Sequence, residues 1–355
     1  MNAVERLRAR IRDAAATATP LRVEGSGSKS FYGMPGDGEP LDTRDVTGIV
    51  SYEPTELVIQ ARAGTPLREI EDLLKGSNQM LAFEPPHFGP NATLGGSIAT
   101  GLSGPARGSA GSARDFVLGA TVLDGQGQLL TFGGQVMKNV AGYDIPRVLT
   151  GSLGTLGVLI DVSLKVLPLP IATESHEVEC TLIEALKLFQ ELGTRSIPVT
   201  ATLWHNGRAI IRIAGSRAAI DAATKLLHGR RLDDQAGRDL WHAVREQTHE
   251  FFIGEAPLWR VALPVGAPPL GFKDELVEWR GMQRWLRTSE DAARIRRRAI
   301  DLGGHATLFR APDDFRTEHG VFTPLDPTLL AIHQRLKRRF DPAGILNPGR
   351  MYPGL

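Results

Sequence analysis

One continuous stretch of this sequence is unusually rich in glycine. Of the 39 glycines, 16 lie between Gly89 and Gly157. Glycine loses more conformational entropy on folding than other residues, so this density predicts a backbone that turns tightly or lies directly against something else. Because exposed amides in small-residue turns bind anions, we expect residues 90–165 to contact a ligand that carries phosphate.

Length and charge limit the class of protein. A chain of 355 residues suits two domains at roughly 100 to 200 residues per domain. Its 41 lysines and arginines balance 40 aspartates and glutamates, which does not favour nucleic acid or an anionic membrane as a partner. The single cysteine, Cys180, excludes an intrachain disulfide and an iron–sulfur cluster held by this chain alone, which needs about four thiolates. Without a signal-like or membrane-spanning apolar run, we expect a cytoplasmic protein.

A first loop of small residues follows a short alternating strand, residues 21–24. Residues 25–30 read Gly-Ser-Gly-Ser-Lys-Ser, and their amides are able to bind an anion; a simple polar turn is the alternative for this loop taken alone. The loop is not a dinucleotide fingerprint, because no helix follows it. It is not a Walker A motif either, because Ser28 separates Gly27 from Lys29.

Helix and strand patterns are mixed along the chain and predict the α+β class. Thr65 is the expected N-cap and Pro66 the first residue of a helix that reaches Lys75. The Asp-Gly pair at 124–125 and the Asn-Gly pair at 206–207 each predict a β-hairpin. Residues 94–100 mix small and apolar side chains, which suits backbone contact with a flat ligand, and residues 109–115 are expected to form a loop.

Composition changes after Pro168 and Pro170, which we interpret as a domain linker. Residues 1–170 are expected to form one domain, and residues 171–325 a sheet with helices on one face. Residues 326–355 add a final helix with Leu329, Ile332, Leu336 and Phe340 on one face, and a tail. Two basic clusters are expected to face solvent, or else to dock acidic partners: Arg294, Arg296, Arg297 and Arg298, and Arg335, Lys337, Arg338 and Arg339.

Several of these motifs together resemble a known family, the FAD-binding oxidoreductases of the vanillyl-alcohol oxidase and p-cresol methylhydroxylase (PCMH) type. Residues 25–29 lie where that family has its first phosphate loop, 90–100 look like its second loop, and 151–158 look like the entry to its closing strand. Residues 340–350 resemble the C-terminal segment of the lactate and glycolate branch. Residues 138–144 are similar to the smaller flavin subunit of bacterial glycolate oxidases within that branch.

The resemblance implies FAD as the cofactor, held in a PCMH-type domain of two α+β subdomains beside an α+β cap. Glycines suit FAD, because its pyrophosphate needs N–H donors and its flavin ring needs a smooth wall. The implied pyrophosphate and ribityl contacts are Gly25, Ser26, Gly27, Ser28, Lys29, Pro90, Thr93, Leu94, Gly95, Gly96, Ala99 and Thr100. The implied adenine-side wall is Arg114, Asp115, Val117, Gly154, Gly157, Val158 and Ile160, and Asn347 is an implied flavin contact. Since the first loop lacks the His or Cys that attaches flavin in some members, non-covalent FAD is expected.

Oxidation of a 2-hydroxy acid needs a base for the hydroxyl proton and a cation for the carboxylate. His305 and His87 are candidate bases, and Arg260 is a candidate cation, with Arg284 and Arg310 as alternatives. A purely structural role is the competing interpretation for each of them. The catalytic lactate and glycolate members carry a His-x-His cluster in the cap, where this chain has Gly-His-Ala-Thr at 304–307. No two histidines have metal-ligand spacing, so no metal site is predicted.

Two functions stay open at this point, together with a weaker third. The chain is either an FAD-binding subunit that supports or passes electrons for a separate catalytic chain, or an enzyme that itself oxidises glycolate or a related 2-hydroxy acid. A structural subunit that has lost FAD is the third. The missing cap histidines and the single cysteine favour the first, because the electrons then need iron–sulfur centres on another chain. The expected partners are a larger FAD-binding catalytic subunit and an iron–sulfur subunit, which would place the complex in the cytoplasm or at the inner face of the membrane.

Overall fold

The structure, a computed structural model, describes residues 2–134, 143–227 and 229–355. The chain divides into two compact units. The first unit contains Met1–Leu102, Ser112–Pro168 and Arg316–Leu355, and the second contains Ser103–Gly111 and Leu169–Phe315. Of the motif at 138–144, residues 138–142 lie outside the described residues.

Helices and strands are numbered here in chain order. The helices are α1 Ala3–Thr17, α2 Leu67–Gly76, α3 Leu94–Thr100, α4 Arg107–Ala110, α5 Ala113–Phe116, α6 Ile145–Leu149, α7 Leu182–Thr194, α8 Arg217–Thr224, α9 Asp234–Glu246, α10 Ala292–Asp301, α11 Asp313–His319 and α12 Pro327–Phe340. The strands are β1 Leu21–Glu24, β2 Glu39–Asp42, β3 Ile49–Glu53, β4 Val58–Arg62, β5 Gln79–Met80, β6 Val117–Leu123, β7 Leu129–Gly133, β8 Val158–Lys165, β9 Leu167–Pro168, β10 Ala172–Glu179, β11 Val199–His205, β12 Arg208–Gly215, β13 Arg230–Arg231, β14 Leu258–Ala262, β15 Glu275–Glu278, β16 Gln283–Arg287 and β17 His305–Arg310.

The first unit is built on a five-stranded antiparallel sheet in the order β3-β4-β8-β6-β7. The predicted hairpin at residues 124–127 is confirmed, since it joins β6 to β7. The Asp124 carboxylate stabilises the turn by accepting hydrogen bonds from the amides of Gln126 and Gln128. Strands β1 and β2 form a separate parallel pair. Mixed helix and sheet confirm the predicted α+β class.

Helix α1 covers one side of this unit. It begins at Asn2, whose side chain accepts a hydrogen bond from the Glu5 amide. Leu7, Ile11 and Ala14 are buried at helical spacing and belong to one core cluster with residues of β1, β2, β6, β8 and the chain near residue 345. Each large apolar side chain buried there contributes about 1.5–3 kcal/mol, so the core fixes these strand ends in place.

Helix α2 begins one residue later than predicted. Pro66 is its N-cap, and the Thr65 hydroxyl is used elsewhere, bonding both the amide and the carbonyl of Gly48. The predicted capping role of Thr65 is therefore wrong. Its side chain instead ties the turn before α2 to the chain before β3.

Residues 94–100 form helix α3, which the composition did not indicate. Thr93 is its N-cap, with its hydroxyl accepting from the Gly96 amide, and Gly101 ends it in the left-handed conformation. Two adjacent glycines are poor helix formers. The helix forms because tertiary contacts override this propensity, as the amide of Gly95 donates to the Ala63 carbonyl.

The second unit contains an eight-stranded antiparallel sheet in the order β13-β10-β12-β11-β15-β16-β14-β17. The predicted hairpin at residues 206–207 joins β11 to β12 and is confirmed. Helix α7 begins with a capping box of Thr181 and Glu184. Phe189 of α7 and Ile220 of α8 pack in one core with Ile211 and Ile213 of β12.

Helices do not lie on one face of this sheet alone, which corrects the prediction. Because side chains alternate along a strand, Arg212 points away from the face that carries Ile211 and Ile213. Trp241 of α9 lies over Arg212, 5.1 Å from its guanidinium to the ring centroid, and donates to the Ser175 hydroxyl. The alternation of apolar and polar residues along β12 did not indicate this second layer of helix, because the polar residue Arg212 is covered as well.

The predicted face of α12 is also only partly correct. Phe340 is buried, but Leu329 and Ile332 are about half exposed. Lys337, expected to face solvent, is buried because its ammonium donates to Asp341 Oδ2 (2.7 Å) and to the carbonyls of Thr155 and Leu346. Of the other basic cluster, Arg296 lies over the Trp259 ring at 5.3 Å. Among the described residues, no helix is both long enough and apolar enough to span a membrane.

Candidate flavin-binding cleft

A cleft opens in the first unit where the two predicted phosphate loops meet the predicted entry to the closing strand. Its empty space, including the open mouth, is about 450 Å³. Six of the predicted cofactor residues line it: Gly25, Gly95, Gly96, Ala99, Gly154 and Gly157. Sequence reasoning missed the other lining residues, which are Val23, Glu24, Thr43, Ala63, Ser152, Leu153 and Leu159. Val23 and Glu24 directly precede the first loop, and Ser152 and Leu153 directly precede Gly154, so their position next to a predicted glycine is the signal that could have found them.

The first two loops contact each other through glycine. A Cβ atom at Gly25 would lie 2.8 Å from Thr93 Oγ1, and one at Gly96 would lie 3.2 Å from the same oxygen. A Cβ at Gly95 would lie 2.8 Å from that of Ala63. These glycines are thus required by the close approach of the protein's own segments, and their missing side chains leave backbone at the cleft surface.

The amides of the second loop are already used inside the protein. Leu94 donates to the Thr65 carbonyl, Gly95 to the Ala63 carbonyl and Gly96 to the Thr93 hydroxyl. They cannot also be the expected pyrophosphate donors without breaking these bonds. Side chains of the same segment are engaged too, since Leu94 is buried and the Thr100 hydroxyl donates back to the Gly96 and Ser97 carbonyls. Pro90 is exposed and does not line the cleft.

The first loop differs in this respect. Within the described part of the chain, the amides of Ser26, Gly27 and Ser28 donate to no protein acceptor. Gly27 has a positive φ of 76° with open space where a side chain would stand. Lys29 is buried behind this loop, where its ammonium donates to the His87 carbonyl at 3.1 Å. Consecutive unused amides beside a lysine suit a phosphate group.

Asn347 bonds two of the residues that line the cleft, Val23 and Leu153. Its Nδ2 donates to the Leu153 carbonyl and its Oδ1 accepts from the Val23 amide, both at 2.7 Å. A Cβ at Gly154 would lie 2.8 Å from Asn347 Nδ2. The side-chain amide of Asn347 therefore joins two cleft-lining segments, and its polar atoms already have protein partners. The expected flavin contact of Asn347 would have to form with these two bonds in place.

The predicted adenine-side wall does not converge at one place. Along β8, Leu159 faces the cleft, while Val158 and Ile160 point into the core with Ile11 because side chains alternate. Val117 pairs with Leu164 at the opposite end of β8, six residues or roughly 20 Å from Val158.

Arg114 and Asp115 lie at that same opposite end. They belong to α5, part of the segment 109–115 expected to be a loop, and they are absent from the cleft lining. Asp115 forms a capping box with Ser112. Partial burial opposes ionisation of Asp115, but the hydrogen bonds from Ser112 hold its pKa below the usual value. A capping role therefore explains Asp115.

The candidate catalytic residues fall in different units. In the first unit, His87 Nε2 lies 3.1 Å from Glu71 Oε2. In the second, Arg260 and His305 share a face of the sheet, because Arg260 pairs with Thr307 and Ala262 pairs with His305.

The electrostatics of this pair suit proton transfer. His305 is exposed as a residue, yet protein atoms around its imidazole lower its pKa, and the charges of Arg260 and Arg107 lower it further. Such a ring is neutral near pH 7 and able to accept a proton.

The alternative arginines have structural partners. Arg284 is fully buried, with Nη1 2.8 Å from Glu275 Oε1 and further bonds to the carbonyls of Gly281 and Ala267. It therefore holds the fold of the second unit and is not available for a substrate carboxylate. Arg310 donates to the Gln247 side chain at 2.9 Å.

Comparisons with known proteins agree with this geometry. A family model described as FAD binding domain matches residues 2–133, and one described as FAD linked oxidases, C-terminal domain, matches residues 318–351. The glycolate oxidase subunit GlcE of Escherichia coli (strain K12) is 45% identical over 346 residues, covering 97% of this chain and 96% of that protein. The D-lactate dehydrogenase of Anaerostipes hadrus is 31% identical over 136 residues, covering 38% of this chain and 28% of that protein.

A solved structure shares the fold. That of alkyldihydroxyacetonephosphate synthase has a TM-score of 0.68 at 14% identity and covers 97% of this chain and 75% of that chain. The chain belongs to the FAD-linked oxidases of the PCMH type, which confirms the resemblance drawn from its motifs. FAD is the cofactor of this family.

The cleft fits such a cofactor. Five glycines place backbone on its lining, and unused amides with a buried lysine stand at the first loop. When bound, FAD supplies the acceptor for a hydride from the substrate. The residues of this chain would supply backbone contacts and position the cofactor.

Proposed function

We propose that this chain is the FAD-binding subunit of a complex that oxidises glycolate, or a closely related 2-hydroxy acid, to the 2-oxo acid. The observation that carries the proposal is the 45% identity to a glycolate oxidase subunit over 97% of the chain. The cleft of the first unit supports it, because this cleft brings together six residues expected to contact FAD.

FAD is held non-covalently in this proposal. Covalent attachment needs a nucleophilic side chain such as histidine, cysteine or tyrosine next to the flavin. The thirteen residues that line the described cleft include none of these types. The phosphates are assigned to the first loop, where the amides of Ser26, Gly27 and Ser28 are available, with the Lys29 ammonium adding a compensating charge.

The complex is proposed to contain a larger FAD-binding catalytic subunit and an iron–sulfur subunit. One cysteine cannot ligate an iron–sulfur cluster, so one-electron transfer away from the flavin needs a second chain. The complex is placed in the cytoplasm or at the inner face of the membrane, with any membrane contact made by its partners.

A second candidate function is a stand-alone 2-hydroxy acid dehydrogenase. The observation that favours it is the shared face of Arg260 and His305 in the second unit, where a cation for a carboxylate stands near a neutral imidazole that can accept the hydroxyl proton. In this function His305 accepts the proton of the substrate hydroxyl and Arg260 orients the substrate carboxylate. In the subunit function this chain performs neither of these steps.

One experiment separates the two. The full-length chain is loaded with FAD and mixed with glycolate under anaerobic conditions, alone and together with its co-purifying partners, while flavin absorbance near 450 nm is followed. The subunit function predicts bleaching only with the partners present. Bleaching of the isolated chain, lost in Arg260→Ala and His305→Ala, would establish the stand-alone enzyme instead. A chain that takes up no FAD would overturn both.

A further inference from the structure

Two histidines and a glutamate meet in the second unit. His205 is the last residue of β11, and His249 and Glu250 follow α9. One ligand atom of each of the three residues lies within 4.8 Å of the other two. His205 Nδ1 is 3.8 Å from Glu250 Oε1, and the two imidazole centroids are 5.4 Å apart.

The fold holds these residues together from both sides. Helix α9 ends at Gln247, whose left-handed conformation reverses the chain and carries His249 back toward β11. Phe251 then packs edge-on against the His205 ring with centroids 5.3 Å apart, and Phe252 packs against Trp285 at 5.4 Å. These aromatic contacts fix the backbone of residues 249 and 250 next to the end of β11.

The charges around the cluster suit a cation. Burial lowers the pKa of both imidazoles, and the neighbouring His205 lowers that of His249 further. Two carboxylates, Glu250 and Asp274, raise the pKa of His205, while Arg208 lowers it. Neutral imidazole is the form that ligates a metal, and the Glu250 carboxylate places an anionic oxygen beside the two rings.

We propose that His205, His249 and Glu250 bind one divalent transition-metal ion, of which Zn²⁺ is the representative. Two imidazole nitrogens and one carboxylate oxygen are a donor set that such ions take, and they leave a fourth position for water. Calcium and magnesium are excluded as the preferred ions because they select oxygen ligands. The site is independent of the proposed flavin function and would link the end of β11 to the segment after α9.

Binding requires two local adjustments. His249 Nδ1 accepts a long hydrogen bond from the Phe251 amide at 3.3 Å. If His249 binds the metal through Nε2, the ring proton moves to Nδ1 and the hydrogen bond from the Phe251 amide is broken. If His249 binds through Nδ1, the metal takes the place of that hydrogen bond. The Glu250 side chain is 71% exposed, so it can rotate to close the 3.8 Å gap to His205. The site is thus open on one side and exchanges its metal with solvent.

The test uses the full-length chain, free of any affinity tag and stripped with a chelator. Titration calorimetry with ZnCl₂ is expected to show one Zn²⁺ per chain, and Co²⁺ loading is expected to give the visible absorption of a four-coordinate ion. His205→Gln and His249→Asn each lower the affinity at least about tenfold, because even residues outside the ligand shell cost that much. Lowering the pH weakens binding, since protons compete for the imidazoles.

Two features make the result decisive. Asn at position 249 still offers an oxygen to the Phe251 amide, so loss of binding in this variant reports loss of the ligand and not of the turn. His242→Asn is the matched control, because His242 is an exposed histidine on α9 in the same unit. Equal affinities in the wild type, His205→Gln and His249→Asn would overturn the proposal, as would stoichiometric binding that is lost in His242→Asn instead.

Discussion

Asp341→Ala is expected to destabilise the first unit more than any surface change. The Asp341 carboxylate is 1% exposed and accepts three hydrogen bonds, from Lys337 Nζ and from the amides of Ile345 and Leu346. Its removal leaves a buried ammonium with only the Thr155 and Leu346 carbonyls as partners.

The magnitude follows from the loss of one partner in a buried ion pair. Breaking such a pair costs about 3–5 kcal/mol. At about 2–4 °C per kcal/mol for a body of this size, the unfolding midpoint should fall by roughly 10 °C. The double variant Lys337→Met with Asp341→Ala should cost less than the sum of the single changes, because neither charge is then left alone.

The assay can separate the two units. All five tryptophans lie in the second unit, so tryptophan fluorescence follows that unit, while far-ultraviolet circular dichroism follows both. In Asp341→Ala, unfolding of the first unit at the lower temperature should appear in the circular dichroism. Arg338→Ala, an exposed change on the same helix, is the control. A loss of unfolding free energy below about 1 kcal/mol, or one equal to that of Arg338→Ala, would refute the burial of the Lys337–Asp341 ion pair.

Two further predictions concern the cleft and the second unit. Gly154→Ala should destabilise the first unit by more than the roughly 1–2 kcal/mol of left-handed strain, because its Cβ meets Asn347 Nδ2. Gly151→Ala is the control in urea titrations, because Gly151 has a similar φ of 86° with open space around it. Equal losses of unfolding free energy in the two variants would contradict a cost from the Asn347 contact. For His305, the folded pKa lies below the unfolded one, so the unfolded chain binds the proton first and stability is lost as the pH falls through about 6.5. His305→Gln should lose less stability between pH 7 and pH 5 by tryptophan fluorescence; an unchanged loss would show that His305 is not responsible.

Local patterns predicted much of the fold because local chemistry determines those parts. The Asp-Gly and Asn-Gly turns and the short strand at residues 21–24 all form where the residues indicate them. The glycine-rich loops do meet at one cleft. Their glycines serve chain-to-chain contact as much as ligand contact, which density alone does not distinguish.

The rest depends on contacts distant in sequence. Helix α3 forms against glycine propensity because Ala63 and Thr65 accept its first amides. Lys337 is buried because Asp341, one turn away, and two carbonyls surround its ammonium. His205 and His249 belong to segments that only the packing of α9 brings together. No periodicity of the sequence carries this information.

The flavin content of the purified full-length chain tests the central claim most directly. After reconstitution with FAD and removal of the excess, acid precipitation should release close to one FAD per chain into the supernatant. Ala99→Phe places a large ring on the cleft wall from helix α3, so it should abolish retention, while Ala16→Phe on the exposed side of α1 should not. Equal FAD content in Ala99→Phe and wild type would show that the cofactor is bound elsewhere, and flavin that stays with the precipitated protein would contradict non-covalent binding.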